Sequence, residues 1–237
     1  MTHLEWPRRV AALAQFHVED PASPVLERGD DHHLRKVLRA NTGEEVVVTD
    51  GHGSWAFSVV NDRGLSRVSD VVRDDAPPVT TLYLAALKGD HALWAVAKAT
   101  EVGVSRVVPL LTGRSVVKFT GEVREKTLAR WRRVASESAG QCRRTYDVRV
   151  EEPVRVADVP RDVAVAEIGA SGDWRGVSEV AVGPEGGWAK DEWESTRRRV
   201  GLGPTVLRAE TAGIVAAALL AFQRGDWGLT LDGGRYE

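Results

Sequence analysis

The stretch from about residue 79 to residue 224 alternates short apolar runs with segments of helical periodicity, and this order constrains the fold most. Strands are predicted at 81–87, 106–110, 163–168, 179–182 and 205–207, and helices at 90–102, 121–139, 188–200 and 211–224. Strands that alternate with helices are typical of a parallel α/β sheet with both faces covered. Ligands of such sheets collect at the carboxyl ends of the strands, so we expect a site in the loops that follow the last strands.

The first 75 residues carry a different pattern, short strands separated by turns. Strands are predicted at 45–49, 55–60 and 67–72, with a hairpin turn at 50–54 between the first two. This pattern predicts a small β-barrel. Residues 74–78 then combine two acids with a Pro-Pro pair, which favours extended chain over regular structure. We therefore expect two domains, at 1–75 and 79–237.

The chain has 237 residues and a single cysteine, Cys142. A lone cysteine excludes an intrachain disulfide and a multi-cysteine zinc site, and it is typical of a reducing compartment. No apolar run approaches the ~20 residues that span a bilayer, and none resembles the core of a signal peptide. We therefore expect a cytoplasmic protein with no membrane partner.

The net charge of −2 conceals an uneven distribution. Residues 114–149 carry ten basic residues against four acids, a balance of +6, which leaves −8 for the rest of the chain. Such a cluster either contacts phosphates or forms a solvated helix face, and the charges alone do not choose between these interpretations. The basic residues are Arg114, Lys118, Arg124, Lys126, Arg130, Arg132, Arg133, Arg143, Arg144 and Arg149.

A glycine-rich loop, GPEGGW at 183–188, follows the apolar run at 180–182. Glycines permit positive φ and let a ligand touch the main chain, while Pro184 stiffens the entry. An ordinary strand-to-helix turn has a similar composition. The loop lacks the Gly-Lys-Ser/Thr ending of a phosphate-binding loop, and no GxGxxG opens a βαβ unit, so a dinucleotide-dependent oxidoreductase is disfavoured.

A second glycine-rich segment at 201–204 is followed by LRAETAG at 207–213. Thr211 or Glu210 is expected to cap the next helix, whose small residues allow close packing. Capping and packing explain everything in this segment except Arg208, because an always-charged planar donor has no structural necessity at a strand end. Arg208 is therefore a candidate functional residue.

These two loops, GPEGGW and LGPTVLRAETA at 202–212, resemble the signature of the SPOUT family of 16S rRNA uridine-N3 methyltransferases. The resemblance extends over nearly the whole chain. HLRKVLR at 33–39 and VTDG at 48–51 resemble that family's amino-terminal, PUA-like barrel. The similarity to its linking motifs lies in KGD at 88–90, KATEVGV at 98–104, RSVV at 114–117 and QCRR at 141–144.

The resemblance implies a SPOUT α/β trefoil-knot domain after the PUA-like barrel, and a homodimer through the knotted domain. The small-residue helix at 212–221 also favours a dimer. The implied reaction is S-adenosylmethionine-dependent methylation of N3 of a specific uridine in 16S rRNA, or in the small ribosomal subunit, without a metal. The residues implied to hold the methyl donor are Glu167, Gly183, Pro184, Glu185, Gly186, Gly187, Leu202, Gly203, Leu207, Arg208, Glu210, Thr211 and Ala212.

The RNA candidates are arginines and a lysine from the barrel and from the basic stretch, namely Arg35, Arg39, Lys88, Arg114, Arg124, Arg130, Arg132, Arg133 and Arg144. Arg208 and Glu185 are the catalytic candidates. Arg208 stays protonated and would stabilise charge on the uracil. The proton acceptor is left open among Glu185, Glu210, a water and a phosphate, and His33 is too far along the chain to assign.

Two alternatives accompany this hypothesis. The chain could be a SPOUT methyltransferase that acts on a different RNA nucleotide. It could instead be a non-catalytic RNA-binding or ribosome-assembly factor that kept the fold and lost transfer. Glu185, Arg208 and Glu210, which stand beside intact glycines, favour catalysis, and a measurement of donor binding would discriminate between the two classes.

Overall fold

The computed structural model of the protein describes residues 5–115, 119 and 121–225. The chain divides into two compact units, one formed by Met1–Pro77 with Ser136–Asp147, and the other by Pro78–Ala135 with Val148–Glu237. The sequence did not predict that Ser136–Asp147 groups with the first unit. Within the described residues, no helix is both long and apolar enough to cross a membrane.

The first unit is built on a mixed sheet. Its elements are helix α1 (Trp6–Ala11), strand β1 (Gln15–His17), helix α2 (Arg28–His32), a π-helical turn (His33–Val37), and strands β2 (Glu45–Thr49), β3 (Ser54–Asn61), β4 (Gly64–Arg67) and β5 (Val72–Arg73). β1 pairs in parallel with β2, while β3 runs antiparallel to β2, β4 and β5. Val46, Val47 and Val48 are fully buried, so β2 carries core side chains on both of its faces.

The strand predicted at 67–72 is wrong, because the structure divides this stretch between β4 and β5. The side chain of Ser69 explains the interruption. Its Oγ accepts a hydrogen bond from the backbone N–H of Phe57 at 2.9 Å and thus replaces a main-chain carbonyl of the ladder. A serine that bonds to nearby backbone in this way competes with regular strand pairing.

The carboxylate of Asp74 joins several segments of the first unit. Its Oδ2 accepts hydrogen bonds from Arg9 Nη1 at 3.3 Å and from Thr145 Oγ1 at 2.7 Å, and its Oδ1 accepts one from Trp55 Nε1 at 3.2 Å. The guanidinium of Arg9 also lies 4.5 Å from the centre of the Trp55 ring and donates to the carbonyl of Arg143. These bonds attach residues 143–145 to the first unit, although the sequence places them far from it.

We expect the replacement of Arg9 by Ala to lower the free energy of unfolding by about 3–5 kcal/mol, since it leaves a buried carboxylate without its cation. The side chains of Arg9 and Asp74 are 1% and 9% exposed. Arg8→Ala is the matched control, because the neighbouring Arg8–Glu45 pair is half-exposed and should cost less than about 1 kcal/mol. Urea unfolding measures both changes. Equal losses from the two substitutions would show that the buried pair has no special role.

His17 gives the first unit a dependence on pH. A hydrogen bond to Asp147, whose Oδ2 lies 3.3 Å from Nε2, raises the pKa of His17 above its ordinary 6.5. A histidine whose folded pKa is raised contributes stability that is full below pH 6.5 and is lost as pH rises through the folded value. We therefore expect wild-type stability to decline slightly between about pH 6.5 and 8, and Asp147→Asn to abolish that decline. NMR titration of the imidazole measures the pKa of His17 in the folded protein, and a value below 6.5 would contradict the predicted decline in stability.

The second unit contains a parallel sheet and long helices. Its elements are strands β6 (Thr81–Ala85) and β7 (Arg106–Leu111), helices α3 (His91–Val102) and α4 (Gly121–Gln141), strands β8 (Arg149–Val150) and β9 (Val154–Arg155), a 3-10 turn (Val156–Asp158), strands β10 (Ala164–Ala166), β11 (Glu179–Val182) and β12 (Arg199–Val200), and helix α5 (Ala209–Arg224). The last residues of α4, from Ser136, group with the first unit. The sequence predictions for β6, β7, β11, α3, α4 and α5 are confirmed within a few residues.

Every strand pair of this sheet is parallel, in the order β12-β10-β11-β6-β7-β8, with β9 also paired to β7. β11 lies beside β6, in the register Glu179↔Thr81 to Val182↔Leu84, although the two strands are far apart in sequence. At their amino ends, Glu179 accepts hydrogen bonds from Thr81, Tyr83 and Arg106 at 3.0–3.2 Å. Burial and the nearby Glu179 raise the pKa of Tyr83 to about 12.

The helix predicted at 188–200 is wrong: the segment is a series of turns that ends in β12. Asp191 has a positive φ of 58°, which a helix does not allow. The carboxylate of Glu192 bonds the backbone N–H groups of Ala189 and Gly113, and Arg197 donates to the carbonyls of Val159 and Pro160. Polar side chains thus attach the segment to neighbouring loops, and Trp193, not a helix, packs on this face of the sheet.

The strand predicted at 205–207 is also absent from the structure, since β12 takes the edge position beside β10 instead. Helix α5 begins at Ala209, with Arg208 in extended conformation as its N-cap and without a side-chain capping bond. Thr211 and Glu210 therefore lie inside the first turn and do not cap the helix, contrary to expectation. The small residues of α5 serve internal packing, because Ala216, Ala217 and Ala221 are fully buried.

Candidate functional site

A cavity of about 760 Å³ lies at the carboxyl ends of β10 and β11 and beside the first turn of α5. The carboxyl ends of parallel strands are where the fold predicts a site. Most residues implied to hold a donor line this cavity, namely Glu167, Gly183, Pro184, Glu185, Gly187, Leu202, Gly203, Leu207, Arg208, Glu210 and Ala212. Gly186 and Thr211 do not line it. The walls also include His91, Ala166, Ile168, Val182, Trp188, Thr205, Val206 and Ala209.

The loop after β11 forms one wall and is shaped by Trp188. The indole Nε1 of Trp188 donates to the carbonyl of Ala166 at 3.0 Å, which ties this loop to the end of β10. A Cβ at Gly183 would lie only 3.0 Å from the Trp188 ring, so a larger residue there would require the indole to shift. Gly187 has a φ of +68°, a conformation that favours glycine.

The carboxylate of Glu185 is partly engaged in holding loops together. Its Oε1 accepts a hydrogen bond from the backbone N–H of Lys88 at 3.3 Å, so it connects the β11 loop to the loop that follows β6. On the other side of the same loop, Arg114 donates to the carbonyl of Gly186 at 2.7 Å. Arg114, predicted to bind RNA, therefore also supports the wall of the cavity.

Arg208 stands at the rim of the opposite wall, directly before α5. Its side chain is exposed, and no hydrogen bond or ion pair engages its guanidinium in the part of the chain that the structure describes. A cation at the amino end of a helix gains nothing from the helix dipole, which is positive there. The position of Arg208 is therefore suited to an incoming negative charge and has no evident value for the fold.

His91 is a cavity residue that the sequence did not single out. Its Nδ1 lies 3.1 Å from Oε1 of Glu210, and the two side chains are 50% and 9% exposed. His91 directly follows the KGD motif at 88–90, one of the motifs that resemble the family, and its place next to that motif could have marked it as a candidate. The sequence does not reveal that β6 lies next to β11 or that α3 packs against α5, and these arrangements bring His91 to the cavity.

Several of the arginines predicted to bind RNA already have acidic partners in the second unit. Arg124 and Arg132 both bond to Glu152, and together they hold the pKa of that carboxyl below its usual range. Arg130 lies 3.0 Å from Asp90. The charge balance of residues 114–149 therefore overstates the free positive charge, because Glu152 and Asp90 lie outside that stretch.

The other RNA candidates differ in their surroundings. In the first unit, Arg35 bonds to Asp31 and to the carbonyl of Asn61, Arg144 bonds to the carbonyl of Tyr146, and Arg39 is exposed with a positive φ of 54°. In the second unit, Lys88 and Arg133 have exposed side chains. Lys118, Val116 and Val117 of the predicted basic stretch and RSVV motif lie outside the described residues.

Two protein families match this chain. A family model described as an RNA methyltransferase domain matches residues 75–221, and one described as an RNA methyltransferase PUA domain matches residues 27–68. The first match covers more than half of the chain and sets its class, an RNA methyltransferase.

Curated relatives share one name, ribosomal RNA small subunit methyltransferase E. The protein of that name from Mycobacterium bovis is 31% identical over 87% of this chain and 88% of its own length, and that from Bacillus subtilis is 27% identical over 90% and 97%. This chain therefore belongs to the ribosomal RNA small subunit methyltransferase E family.

Solved structures agree on the fold. The family member from Neisseria gonorrhoeae, solved bound to S-adenosyl methionine, gives a TM-score of 0.70 at 22% identity over 88% of this chain and 97% of that one. A Legionella pneumophila protein, solved in complex with SAM, gives 0.75 at 24% identity over 87% and 96%. The expected α/β methyltransferase fold with an amino-terminal PUA domain is confirmed, while the trefoil knot stays a prediction.

We expect Gly201→Ala to distort the cavity, because a Cβ there would lie 2.1 Å from the carbonyl oxygen of Ala170, a main-chain atom that cannot rotate away. The loss of stability should be about 1–3 kcal/mol, as for other overpacked sites. Gly186→Ala is the matched control, since its Cβ would meet only the Arg114 side chain at 3.6 Å. Urea unfolding compares the two variants, and a Gly201→Ala protein as stable as its control would contradict the close approach of these loops.

Proposed function

We propose that this protein transfers a methyl group from S-adenosylmethionine to N3 of one uridine in the 16S rRNA of the small ribosomal subunit. The cavity at the ends of β10 and β11 carries the proposal, because the GPEGGW and LGPTVLRAETA loops meet there. The name of the curated relatives and the ligand in the Neisseria structure support it. Mass spectrometry of 16S rRNA from cells with and without the gene tests it, and an unchanged set of methylated uridines would refute it.

The cavity suits this cofactor in size and in chemistry. Its volume of about 760 Å³ lies within the range of roughly 300–1,000 Å³ that is usual for small-molecule sites. Glycines at 183, 187 and 203 leave main-chain groups accessible to the edge of an adenine ring. Carboxylates from Glu185 and Glu210 supply negative charge that suits a sulfonium and an ammonium group, while the charge of the third carboxylate, Glu167, is partly offset by Arg199.

The proposed reaction requires the protein to align the reacting atoms and to stabilise negative charge on the uracil. The bound cofactor supplies a methyl group on positively charged sulfur, which needs no further activation. N3 of uracil carries a proton that it releases only well above neutral pH, so the protein must align N3 for in-line attack and stabilise negative charge on the uracil. Arg208 meets the second requirement, since its exposed guanidinium presents paired donors at the rim.

We expect Arg208→Ala to reduce turnover by about 10²–10³-fold with little change in cofactor affinity, because the arginine acts on charge that develops during transfer. Arg161→Ala is the control, an exposed arginine that pairs with Glu194 outside the cavity. Single-turnover transfer and calorimetry with S-adenosylmethionine separate the two quantities. Near-normal turnover would refute the role, and lost cofactor binding with unchanged chemistry would reassign Arg208 to cofactor binding.

The proposed RNA substrate should be held by cations whose charge is not neutralised within the protein. Arg39 and Lys88 are such candidates, as neither has an acidic partner among the described residues, whereas Arg124 pairs with Glu152. Replacing Arg39 or Lys88 by Ala should weaken binding of a 16S rRNA fragment. It should also make the slope of the logarithm of the RNA association constant against the logarithm of the salt concentration shallower by roughly 0.7–0.9 per lost phosphate contact.

Arg124→Ala is the matched control in this experiment, and its salt slope should change less than that of either variant. The readout is RNA affinity measured at several salt concentrations, and calorimetry should give an unchanged affinity for S-adenosylmethionine. If Arg124→Ala flattens the slope most, the ion pair with Glu152 opens on binding and the assignment of Arg39 and Lys88 is wrong.

A catalytically inactive RNA-binding factor is the rival function. Affinity for S-adenosylmethionine separates the two, because a factor that lost transfer has no need of a cavity that binds the cofactor.

We also infer a homodimer through the second unit, a trefoil knot in that unit, and action in the cytoplasm. Ile168 and Val206, which are 74% and 75% exposed beside the cavity, support the dimer, whose interface should bury more than ~1,000 Å².

A further inference from the structure

We propose that His91 is the general base that removes the N3 proton of the target uridine, with Glu210 holding its imidazole in the correct tautomer and orientation. This inference rests on the proposed function and assigns the one role that the sequence left open. Nδ1 of His91 lies 3.1 Å from Oε1 of Glu210, and both residues line the cavity. A base oriented by a carboxylate is a recurrent arrangement in enzymes that must take a proton from a weak acid.

The positions of the two side chains suit these roles. The Glu210 side chain is 9% exposed, so its carboxylate is held in place within the first turn of α5, while His91 is 50% exposed. In the tautomer with the proton on Nδ1, which the 3.1 Å approach of Glu210 Oε1 favours, the lone pair of Nε2 is available to a substrate. His91 is the first residue of α3, and the loop directly before it is held to the loop after β11 by the bond from the Lys88 N–H to Glu185.

The proton and the electrons can be followed through the step. The N3 proton moves to Nε2 of His91, and the electron pair it leaves on N3 forms the bond to the methyl carbon. The electrons of the breaking carbon–sulfur bond remain on sulfur. The imidazolium that results is stabilised by the Glu210 carboxylate, and because His91 is half exposed, the proton passes to solvent before the next turnover.

The other ionisable groups around the cavity are less suited to this role. Glu185 already accepts the Lys88 N–H, Glu167 lies 3.3 Å from Arg199, and Arg208 stays protonated. Carboxylates are in addition weak bases at neutral pH, whereas histidine changes charge between pH 5 and 8. Among the described residues, the charged groups near His91 include Lys88 and Asp90, which directly precede α3, and Arg130 of α4, which pairs with Asp90. The charged residues that line the cavity with His91 are Glu210 and Arg208 at α5, Glu185 and Glu167.

The pH dependence of single-turnover methyl transfer tests the proposal. The wild-type rate should rise with pH to a plateau, because a general base must be unprotonated to accept the N3 proton. His91→Gln should lower the rate at pH 7 by about 10²-fold or more, and its rate should continue to rise well above pH 8 as the uracil ionises by itself. His32→Gln, an exposed histidine of the first unit, is the matched control and should keep the wild-type profile.

A second readout does not depend on activity. Imidazole ¹⁵N NMR of the free protein should show His91 with its proton on Nδ1, and Glu210→Gln should reduce the population of that tautomer. Calorimetry with S-adenosylmethionine should give similar affinities for wild type and His91→Gln, which also shows that the variant folds.

The outcomes separate this inference from the proposed function. A wild-type protein that transfers no methyl group refutes both. An active protein whose His91→Gln variant keeps the wild-type rate and plateau refutes the role of His91 and leaves the proposed function standing. A His91 with its proton on Nε2 also overturns the inference, because that nitrogen could not then accept the N3 proton.

Discussion

The backbone pairing of β11 with β6 is the interaction on which the site depends. These strands lie about a hundred residues apart in the chain, and their side chains are almost wholly buried. Because parallel strands end at the same edge, this pairing brings the loop of Lys88, which leads into α3 and its first residue His91, against the GPEGGW loop, where the bond from the Lys88 N–H to Glu185 holds the two loops together. Glu179 fixes the opposite end of the same pair through Thr81 and Tyr83. Without this register the cavity would lack one of its walls.

The first unit includes a segment that is distant in sequence, Ser136–Asp147. Residues 136–147 are recruited by polar groups and not by an apolar stripe: Thr145 and Tyr146 bond to the side chain and backbone of Asp74, and the Arg143 carbonyl accepts from Arg9. Buried polar groups of this kind are costly when unpaired, so the network specifies one arrangement and penalises others. The same logic explains why Arg9, a charged residue near the amino terminus, is fully buried.

Local pattern was a good guide to the strands and helices whose residues face a core, such as β6, β11 and α3. The local pattern gave a wrong prediction at 188–200, where Asp191 has a positive φ and the side chains of Glu192 and Arg197 bond to loop backbone. It was also wrong at 67–72, where Ser69 interrupts the hydrogen-bond ladder of the sheet. For the site, the residues that the family resemblance implied make up most of the cavity lining. His91 could not be found in this way, since its contact with Glu210 depends on the order of strands in the sheet, which no local pattern encodes.

The three carboxylates around the cavity have a consequence for the end of the catalytic cycle. Glu185 and Glu210 favour a positively charged occupant, while the charge of Glu167 is partly offset by Arg199. In the proposed reaction the sulfonium becomes a neutral thioether once the methyl group has left, so the same walls attract the spent cofactor less strongly than the fresh one. The charge pattern of the cavity therefore favours the exchange of spent cofactor for fresh cofactor.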